Sequence, residues 1–515
     1  MPDTSPRTHT PRSHALLFII TVIVCIAGYA HSLRFPFGVD QGIFSTSAHQ
    51  LLKGKELYTE IWDFKPPGIH LTYALAFLVG GEKVLAIRAT DFVSYLISLL
   101  LLWKIAHRFS RVVGAAFACL SFMLLYSLGG FWHTAQPESF SIPFLLGSCY
   151  ILFLSKHRVY HSLLLGFFIG VILLFKISSI LLLPFFVLGI ILYAEKNVRR
   201  VPQLLLRFFF FLVGISVVVG LVILLCSSMD EWWRINTGFV QQYIHVSFID
   251  GFRSIPAELL RSREFWISGS ALLLLTVLAV YRRFHIAAGT ELLLLGGWLS
   301  LLIVAMQGKA FPYHFYLFLP FVVLLSAILF SDTITEFSMK RITWIIFPLI
   351  MLAHVRVITS RGQLIFPDVV QASDGDYWKR MSPSTKLLQL EDVLTVSKLI
   401  NQNTSVRQSI FLWGMQSEIY FLSRRYPTTR FLYNLPLLSV FHRSDYQAEL
   451  LEALQRYLPE LIIVESGDVN PEITGERRDS KSFLHDFSEL QSLIDTKYEL
   501  AKTVGVFEIY HLMAE

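Results

Sequence analysis

Charge is scarce in this sequence. Asp, Glu, Lys and Arg make up 16% of its 515 residues, against about 25% in an ordinary soluble domain. Cysteine is scarcer still. Cys25, Cys119, Cys149 and Cys226 all lie in or at the ends of apolar runs, and none shows Cys-x-x-Cys spacing. They read as free thiols facing lipid or core, so no disulfide framework and no redox compartment follow from them. No internal repeat or low-complexity tract is present. Nor do the Lys and Arg residues form a basic face. The net charge of +6 comes mostly from short loops between apolar runs, so nucleic acid is not indicated as a partner.

What the sequence has in plenty is apolar residues, 54% of the chain. They are clustered in runs of about 15–22, and roughly 20 apolar helical residues span a bilayer. About eleven transmembrane helices are expected, over residues 15–33, 84–103, 112–130, 140–154, 160–175, 177–194, 204–226, 266–281, 288–306, 315–331 and 342–358. The polar start with Arg7 and Arg12 resembles a signal peptide. No small-x-small cleavage site precedes a soluble mature domain and more apolar runs follow, so an uncleaved first helix is the better reading.

The basic residues test that assignment. Arg7 and Arg12 precede the first span. Lys104, Arg108 and Arg111 follow the second, and Lys156 and Arg158 the fourth. Lys196, Arg199 and Arg200 follow the sixth, Arg282 and Arg283 the eighth, Lys340 and Arg341 the tenth. If the spans alternate, all these clusters share one side. By the positive-inside rule that side is the cytoplasm. The N-terminus is then cytoplasmic, and the C-terminal region is extracytoplasmic, as in a bacterial inner-membrane protein. A multi-span domain over 1–358, with an extracytoplasmic first loop at 34–83, and a second domain over 359–515 are expected.

After about Ser360 the composition becomes that of a soluble domain. Ser409–Trp413 and Leu461–Val464 read as buried strands. Asp445–Leu458 places Leu450, Leu454, Tyr457 and Leu458 on one helical face. Glu499–His511 reads as a hairpin turning near Gly505. The fold class is therefore a polytopic α-helical membrane protein with a small C-terminal extracytoplasmic α/β domain.

The first loop is the chemically suggestive one. Asp40 and Gln41-Gly42 come just after the first span. Phe44, Ala48, Leu51 and Leu52 then lie on one face, which predicts an amphipathic helix on the membrane surface. Asp63-Phe64-Lys65-Pro66-Pro67-Gly68 follows, where the two prolines stiffen the backbone beside Lys65. A carboxylate at the membrane surface acts as general base on a hydroxyl, and a lysine neutralises a phosphate. The bland alternatives are a helix N-cap for Asp40 and a snorkelling role for Lys65.

Other candidates carry similar alternatives. Glu138 is either a second reacting acid or a carboxylate favoured by a helix N-terminus. Lys176, between two apolar runs, costs about 2.5–3.5 kcal/mol if placed in hydrocarbon. It is either a turn residue at the interface or a phosphate ligand. Tyr313 and His314 belong to an aromatic belt or line a substrate site. Arg88 either binds substrate or snorkels, and His133 reads as an interfacial histidine.

In order along the chain, these features resemble the membrane glycosyltransferases of the GT-C fold. The similar branch contains the protein O-mannosyltransferases and the lipid A aminoarabinose transferase. The resemblance is carried by Asp40-Gln41-Gly42, Gly54, Leu57-Tyr58, the Asp63–Gly68 segment, Arg88, Gln136-Pro137-Glu138-Ser139 and Lys176. Tyr313-His314-Phe315-Tyr316 and Pro320 continue it. Trp413-Gly414, Ile419-Tyr420, Arg425 and Thr429-Arg430-Phe431 extend it into the C-terminal domain.

The resemblance implies transfer of a sugar from a polyprenyl-phosphate donor to a hydroxyl of a glycan, lipid or protein, on the outer face and with inversion. Asp40 and Glu138 would be the catalytic acids. Lys65, Lys176, His314, Tyr313 and Arg88 would bind substrate. The family often has a second acid after the catalytic aspartate. Here it is Gln41, which weakens any metal site built on an acid pair, and no metal or other cofactor is expected. Nucleotide sugars are not expected as donors, because no Gly-rich phosphate loop is found on the cytoplasmic side. A transporter or lipid flippase is the chief rival reading. It is disfavoured because the candidate groups cluster in loops and the two halves of the chain are dissimilar. A non-catalytic scaffold would leave Asp40, Lys65 and Glu138 unexplained as a set.

Overall fold

The computed structural model describes residues 11–127, 129–155, 158–192, 201–226, 228–240, 253, 255–256, 289–309, 311–335, 390–438 and 443–513. Along the chain the helices are α1 (Pro11–Tyr29), α2 (Val39–Leu52), α3 (Pro67–Gly80), α4 (Val84–Ser127), α5 (Gly130–His133), α6 (Pro137–Leu154), α7 (Val159–Phe175), α8 (Leu183–Leu192), α9 (Val201–Leu225), α10 (Met229–Ile235), α11 (Thr290–Met306) and α12 (Leu319–Thr335). The C-terminal region adds α13 (Leu390–Asn403), β1 (Ser409–Trp413), α14 (Glu418–Ser423), β2 (Tyr426–Pro427), α15 (Arg443–Arg456), β3 (Leu461–Glu465), β4 (Tyr498–Val504) and β5 (Phe507–Leu512).

The chain divides into two compact units. One takes the described residues of Met1–Leu33, Ala89–Val219 and Phe248–Pro367. The other takes those of Arg34–Arg88, Gly220–Ser247 and Asp368–Glu515.

The first unit is helical and has a large apolar core. Leu99, Phe122, Leu145, Ile169, Phe185, Val304 and Phe321 are among its buried members. Its outward positions are apolar too, as Leu16, Ile19, Ile23, Leu205 and Phe209 show. Helices apolar on all sides suit a bilayer, where lipid replaces water outside the core. Among the described residues, four helical stretches are long and apolar enough to cross a membrane, at Arg12–Arg34, Val84–Ser127, Pro137–Leu154 and Val201–Leu224. The expected spans at 15–33, 84–103, 112–130, 140–154, 160–175, 177–194, 204–226, 288–306 and 315–331 coincide with apolar helical segments. Those at 266–281 and 342–358 lie outside the described residues.

Helix α4 is 44 residues long, about twice what a bilayer needs. Ser110 (φ −137°, ψ 20°) and Arg111 (φ 57°, ψ −173°) interrupt it. Two apolar arms result, and Lys104, Arg108 and Arg111, the basic cluster on which the topology reading rests, lie along the end of the first arm and at the break.

In the second unit, the C-terminal residues form a five-stranded sheet of order β2-β1-β3-β5-β4. Strands β1, β2 and β3 run parallel, and β5 and β4 are antiparallel. Strand β3, Leu-Ile-Ile-Val-Glu, is buried at every position, as a central strand covered on both faces must be. Val393, Val396 and Ile400 of α13 pack with Ile410, Leu412, Ile463 and Ile509. The hairpin turns at Gly505, whose φ of +53° a side chain would disfavour.

The same unit holds α2 and α3, and here one expectation is corrected. Helix α2 does not lie with one face free on a membrane surface. Gln41–Ala48 and Gln50 are all buried. Its small residues Gly42, Ser45, Ser47 and Ala48 let neighbours approach on several sides. At Gly42 a Cβ would sit 2.6 Å from the backbone nitrogen of Glu418 on α14. Thr46 Oγ1 also donates to Ser417 O at 3.1 Å. The apolar side chains left open in this loop belong instead to α3, at Leu75, Leu78 and Val79.

Candidate active site

Helix α2 begins at Gly38, which occupies the N-cap position; the Gln41 side chain reaches back to accept from Gly38 N at 3.0 Å. Asp40 is therefore not the cap. It stands inside the first turn, where the helix dipole favours a carboxylate. Its Oδ1 accepts from Lys65 Nζ at 2.9 Å. The ammonium also lies 4.4 Å from the centre of the Phe44 ring, one helical turn after Asp40. The Lys65 and Asp40 side chains keep 18% and 20% of their surface open. The pair is reachable by a ligand, unlike a structural ion pair sealed in a core.

The backbone around Lys65 is held from several sides. Tyr58 takes φ +75°, rare for a bulky residue, and its hydroxyl donates to Lys65 O at 3.0 Å. Trp62 N donates to Arg430 O at 2.9 Å. Asn236 Nδ2 donates to Phe64 O at 3.1 Å. Pro66 then caps α3 and Pro67 opens it, a position where proline loses no helical hydrogen bond. The Pro-Pro pair thus places Lys65 at a helix entrance.

Glu231 joins this network by accepting from Arg430 Nη1 at 3.2 Å and from Arg234 Nη2 at 2.8 Å. Burial raises its pKa, but the hydrogen bonds and charges of Arg234 and Arg430 outweigh that and hold it below the ordinary glutamate value.

The first unit contains a second acid–lysine pair. Glu138 sits in the first turn of α6 behind Pro137 and pairs with Lys176, which caps the C-terminus of α7. Glu138 is 1% exposed and Lys176 16%. The loop before α6 is pinned by Asp91 of α4. Asp91 accepts from Tyr29 Oη at 2.7 Å, Tyr126 Oη at 2.8 Å and Ala135 N at 3.0 Å. Ala135 takes φ +56°, so the loop is held in a conformation that a free alanine seldom adopts.

Tyr313 and His314 occupy a 3₁₀ segment, Pro312–Leu317. Their rings meet at 4.6 Å, and Tyr313 lies 5.7 Å from the His133 ring. His314 Nδ1 is 2.5 Å from Lys309 O.

The whole chain supports comparison with solved structures. ArnT from Cupriavidus metallidurans bound to undecaprenyl phosphate superposes with a TM-score of 0.59 at 13% identity, covering 97% of this chain and 98% of that one. The same protein in the apo state gives 0.58 at 12% identity over 97% and 98%. The chain has the GT-C fold. Residues 64–223 match the family described as dolichyl-phosphate-mannose-protein mannosyltransferase. No curated protein matches the sequence. The resemblance read in the residues, to GT-C membrane glycosyltransferases of this branch, is borne out.

Within the GT-C fold the remaining candidates take definite places. Arg88 is fully buried, and its guanidinium donates to Phe35 O at 3.3 Å and to Pro36 O. Those carbonyls lie on the strand of chain that leads into α2 and Asp40. Among the described residues no group of three or more His, Cys, Asp or Glu is arranged to hold a metal. Gln41, standing where the family often has an acid, is used in capping α2.

Three carboxylates escaped the sequence reading. Asp91 was hidden as a lone acid in an apolar run, although an ionisable residue in such a run is a functional candidate by default. Asp63 stands in the Lys65 motif, but its partners Tyr433 and His70 cannot be read from the spacing. Glu418 lies buried at the start of α14 against Gly42. Burial pushes its carboxyl up to about 8, and its own backbone N–H pulls it only part of the way back.

Proposed function

We propose that this protein transfers a sugar from a polyprenyl-phosphate donor to an acceptor hydroxyl. The reading rests on the half-open Asp40–Lys65 pair. ArnT's bound undecaprenyl phosphate shows that the GT-C fold accommodates such a lipid. Asp40 removes the proton from the acceptor oxygen as that oxygen attacks the anomeric carbon. The new carbon–oxygen bond forms opposite the phosphate, so configuration inverts. The bond between the anomeric carbon and the phosphate oxygen breaks, and its electron pair leaves with the lipid phosphate. Lys65 neutralises that leaving group, which is already a stable anion, so electrostatic stabilisation carries more of the rate than acid catalysis. In the resting site Asp40 satisfies the lysine, and an incoming phosphate competes for it.

Glu138 is the second acid in this proposal. Lys176 is the second choice for phosphate binding, and Tyr313 and His314 line the substrate. Arg88 contributes by holding the Phe35-Pro36 segment that leads to Asp40. No step is routed through a metal. The acceptor is a glycan, lipid or protein hydroxyl. The reaction is placed on the extracytoplasmic face, with a cytoplasmic N-terminus, on the distribution of Lys and Arg among the loops.

Transfer from a defined polyprenyl-phosphate sugar by purified protein tests the reading. Wild-type turnover by a folded Asp40→Asn variant overturns it. A cytoplasm-dependent reporter fused after Glu515 should be silent, and a strong signal reverses the topology.

A further inference from the structure

Asp63 is a buried carboxylate that cannot reach a substrate. Its side chain is 1% exposed, and that of its neighbour His70 0%. Removing a carboxylate from water costs several kcal/mol unless it is paired and hydrogen-bonded, so its partners indicate what it is for. Asp63 Oδ1 accepts from Phe64 N at 2.7 Å, from Lys65 N at 3.4 Å and from Tyr433 Oη at 3.3 Å. Asp63 Oδ2 faces His70 Nε2 at 3.1 Å. Two of these four contacts are backbone N–H groups of the loop that carries Lys65.

The other contacts close a circuit. His70 lies in the first turn of α3, and its ring meets the Phe44 ring edge-on at 5.6 Å. Phe44 is the ring beneath the Lys65 ammonium. The backbone of Lys65 is thus held through Asp63, and its charged end rests on a ring that touches the Asp63 partner. Tyr433 brings in a third element, 370 residues away in sequence. Trp62, next to Asp63, is fully buried against Tyr433, Tyr446 and Phe239, so the loop has little freedom to drift.

We infer that Asp63, gripped by His70 and Tyr433, is a positioning residue that sets where the Lys65 ammonium stands. The C-terminal domain acts on the reaction through the Tyr433 hydroxyl. This inference rests on the role proposed for Lys65, but its main test does not. Burial alone would push the carboxyl up. The hydrogen bond and charge of His70, the charge of Lys65 and the Phe64 N–H together hold it below the ordinary aspartate value, so Asp63 is an anion at neutral pH and grips the loop fully.

The test uses the purified full-length protein and the variants Asp63→Asn and Tyr433→Phe. With no donor present, the reaction of Lys65 with an amine-modifying reagent is followed by peptide mass spectrometry. Both variants should raise the labelling rate severalfold over wild type, while lysines elsewhere in the chain label unchanged. In transfer assays both should raise the donor KM more than they lower kcat, by about tenfold or more for Asp63→Asn, since small misplacements of a reacting group are costly. In a Lys65→Ala background neither should have a further effect.

Unchanged labelling of Lys65 in Tyr433→Phe, which loses one hydrogen bond and little packing, overturns the inference even if Asp63→Asn fails to fold. So does an equal loss of activity in the Lys65→Ala background. Raised labelling combined with wild-type turnover by Lys65→Ala leaves the positioning intact and removes Lys65 from the proposed mechanism.

Discussion

Each unit of the molecule supplies one of the two lysine–carboxylate pairs read as candidates for the reaction, and the pairs differ in how far water reaches their carboxylates. Asp40 and Lys65 keep about a fifth of their side-chain surface open, whereas Glu138 keeps 1%. A half-open pair gains little from its mutual attraction, typically about 0–1 kcal/mol. A buried pair is another matter. Removing one partner strands the other charge and costs about 3–5 kcal/mol. The two pairs should therefore answer differently to substitution. At Asp40 and Lys65 the loss should appear in the reaction, with the fold nearly untouched. At Glu138 and Lys176 it should appear first in stability.

The sharpest way to break this comparison is Asp40→Asn. Asparagine keeps the shape but accepts no proton, so turnover should fall about 10²–10⁴-fold with the thermal midpoint unchanged. Kinetics alongside melting in detergent measures both. A folded variant with normal turnover would assign Asp40 to structure.

Next in size is Lys176→Ala, which should destabilise the protein by about 3–5 kcal/mol by leaving Glu138 buried and unpaired. Adding Glu138→Gln should restore a good part of that loss. If the double variant melts no higher than the single one, the pair is not an ion pair in the membrane protein.

Lys65→Ala comes third. Stability should change by less than about 1 kcal/mol, while use of the lipid-phosphate donor is impaired. Lys65→Arg should retain part of it, because the charge survives and the geometry does not. Equal donor kinetics for wild type and alanine would remove the half-open pair from the comparison.

The last effect expected is a slope of stability with pH. Glu418 has its folded pKa raised to about 8, above its value in an unfolded chain. A raised carboxyl favours the protonated native state, so its unfavourable contribution grows as pH climbs from about 4.5 to about 8 and is level above that. Glu418→Gln should raise the melting temperature more at pH 8 than at pH 5. An equal shift at both would mean that the carboxyl is not neutral in the fold.

Much of this was legible in the residues because hydropathy and motif spacing are local signals. The apolar runs at 84–103 and 112–130 foretold the two arms of α4, and the basic residues between them marked its break at Ser110-Arg111. Strands β1 and β3, helix α15 and the hairpin at Gly505 lie where pattern placed them. The proximity of Asp40 and Lys65, 25 residues apart, was suggested by motif order and is met by a direct hydrogen bond.

The rest failed where partners are remote or lengths ambiguous. Helix α2 looked amphipathic because its partners Ser417 and Glu418 lie more than 370 residues on. Helix α3, 14 residues and apolar, is too short for a span and was absorbed into a loop. The hydroxyls that satisfy Asp91 come from Tyr29 and Tyr126, each inside an apolar run where nothing local announces them.

The grip of Arg430 on the first loop also sets an order of events in biosynthesis. Arg430 Nη1 donates to Tyr58 O across 372 residues. Residues 58–65 leave the ribosome early, and this partner of theirs is made 372 residues later. Chains fold by domains as they emerge, yet this loop's frame closes only once residue 430 has emerged. A chain stalled before residue 430 carries Asp40, Lys65 and every helix from α1 to α12, but lacks the Arg430 and Tyr433 contacts that complete the frame around the lysine.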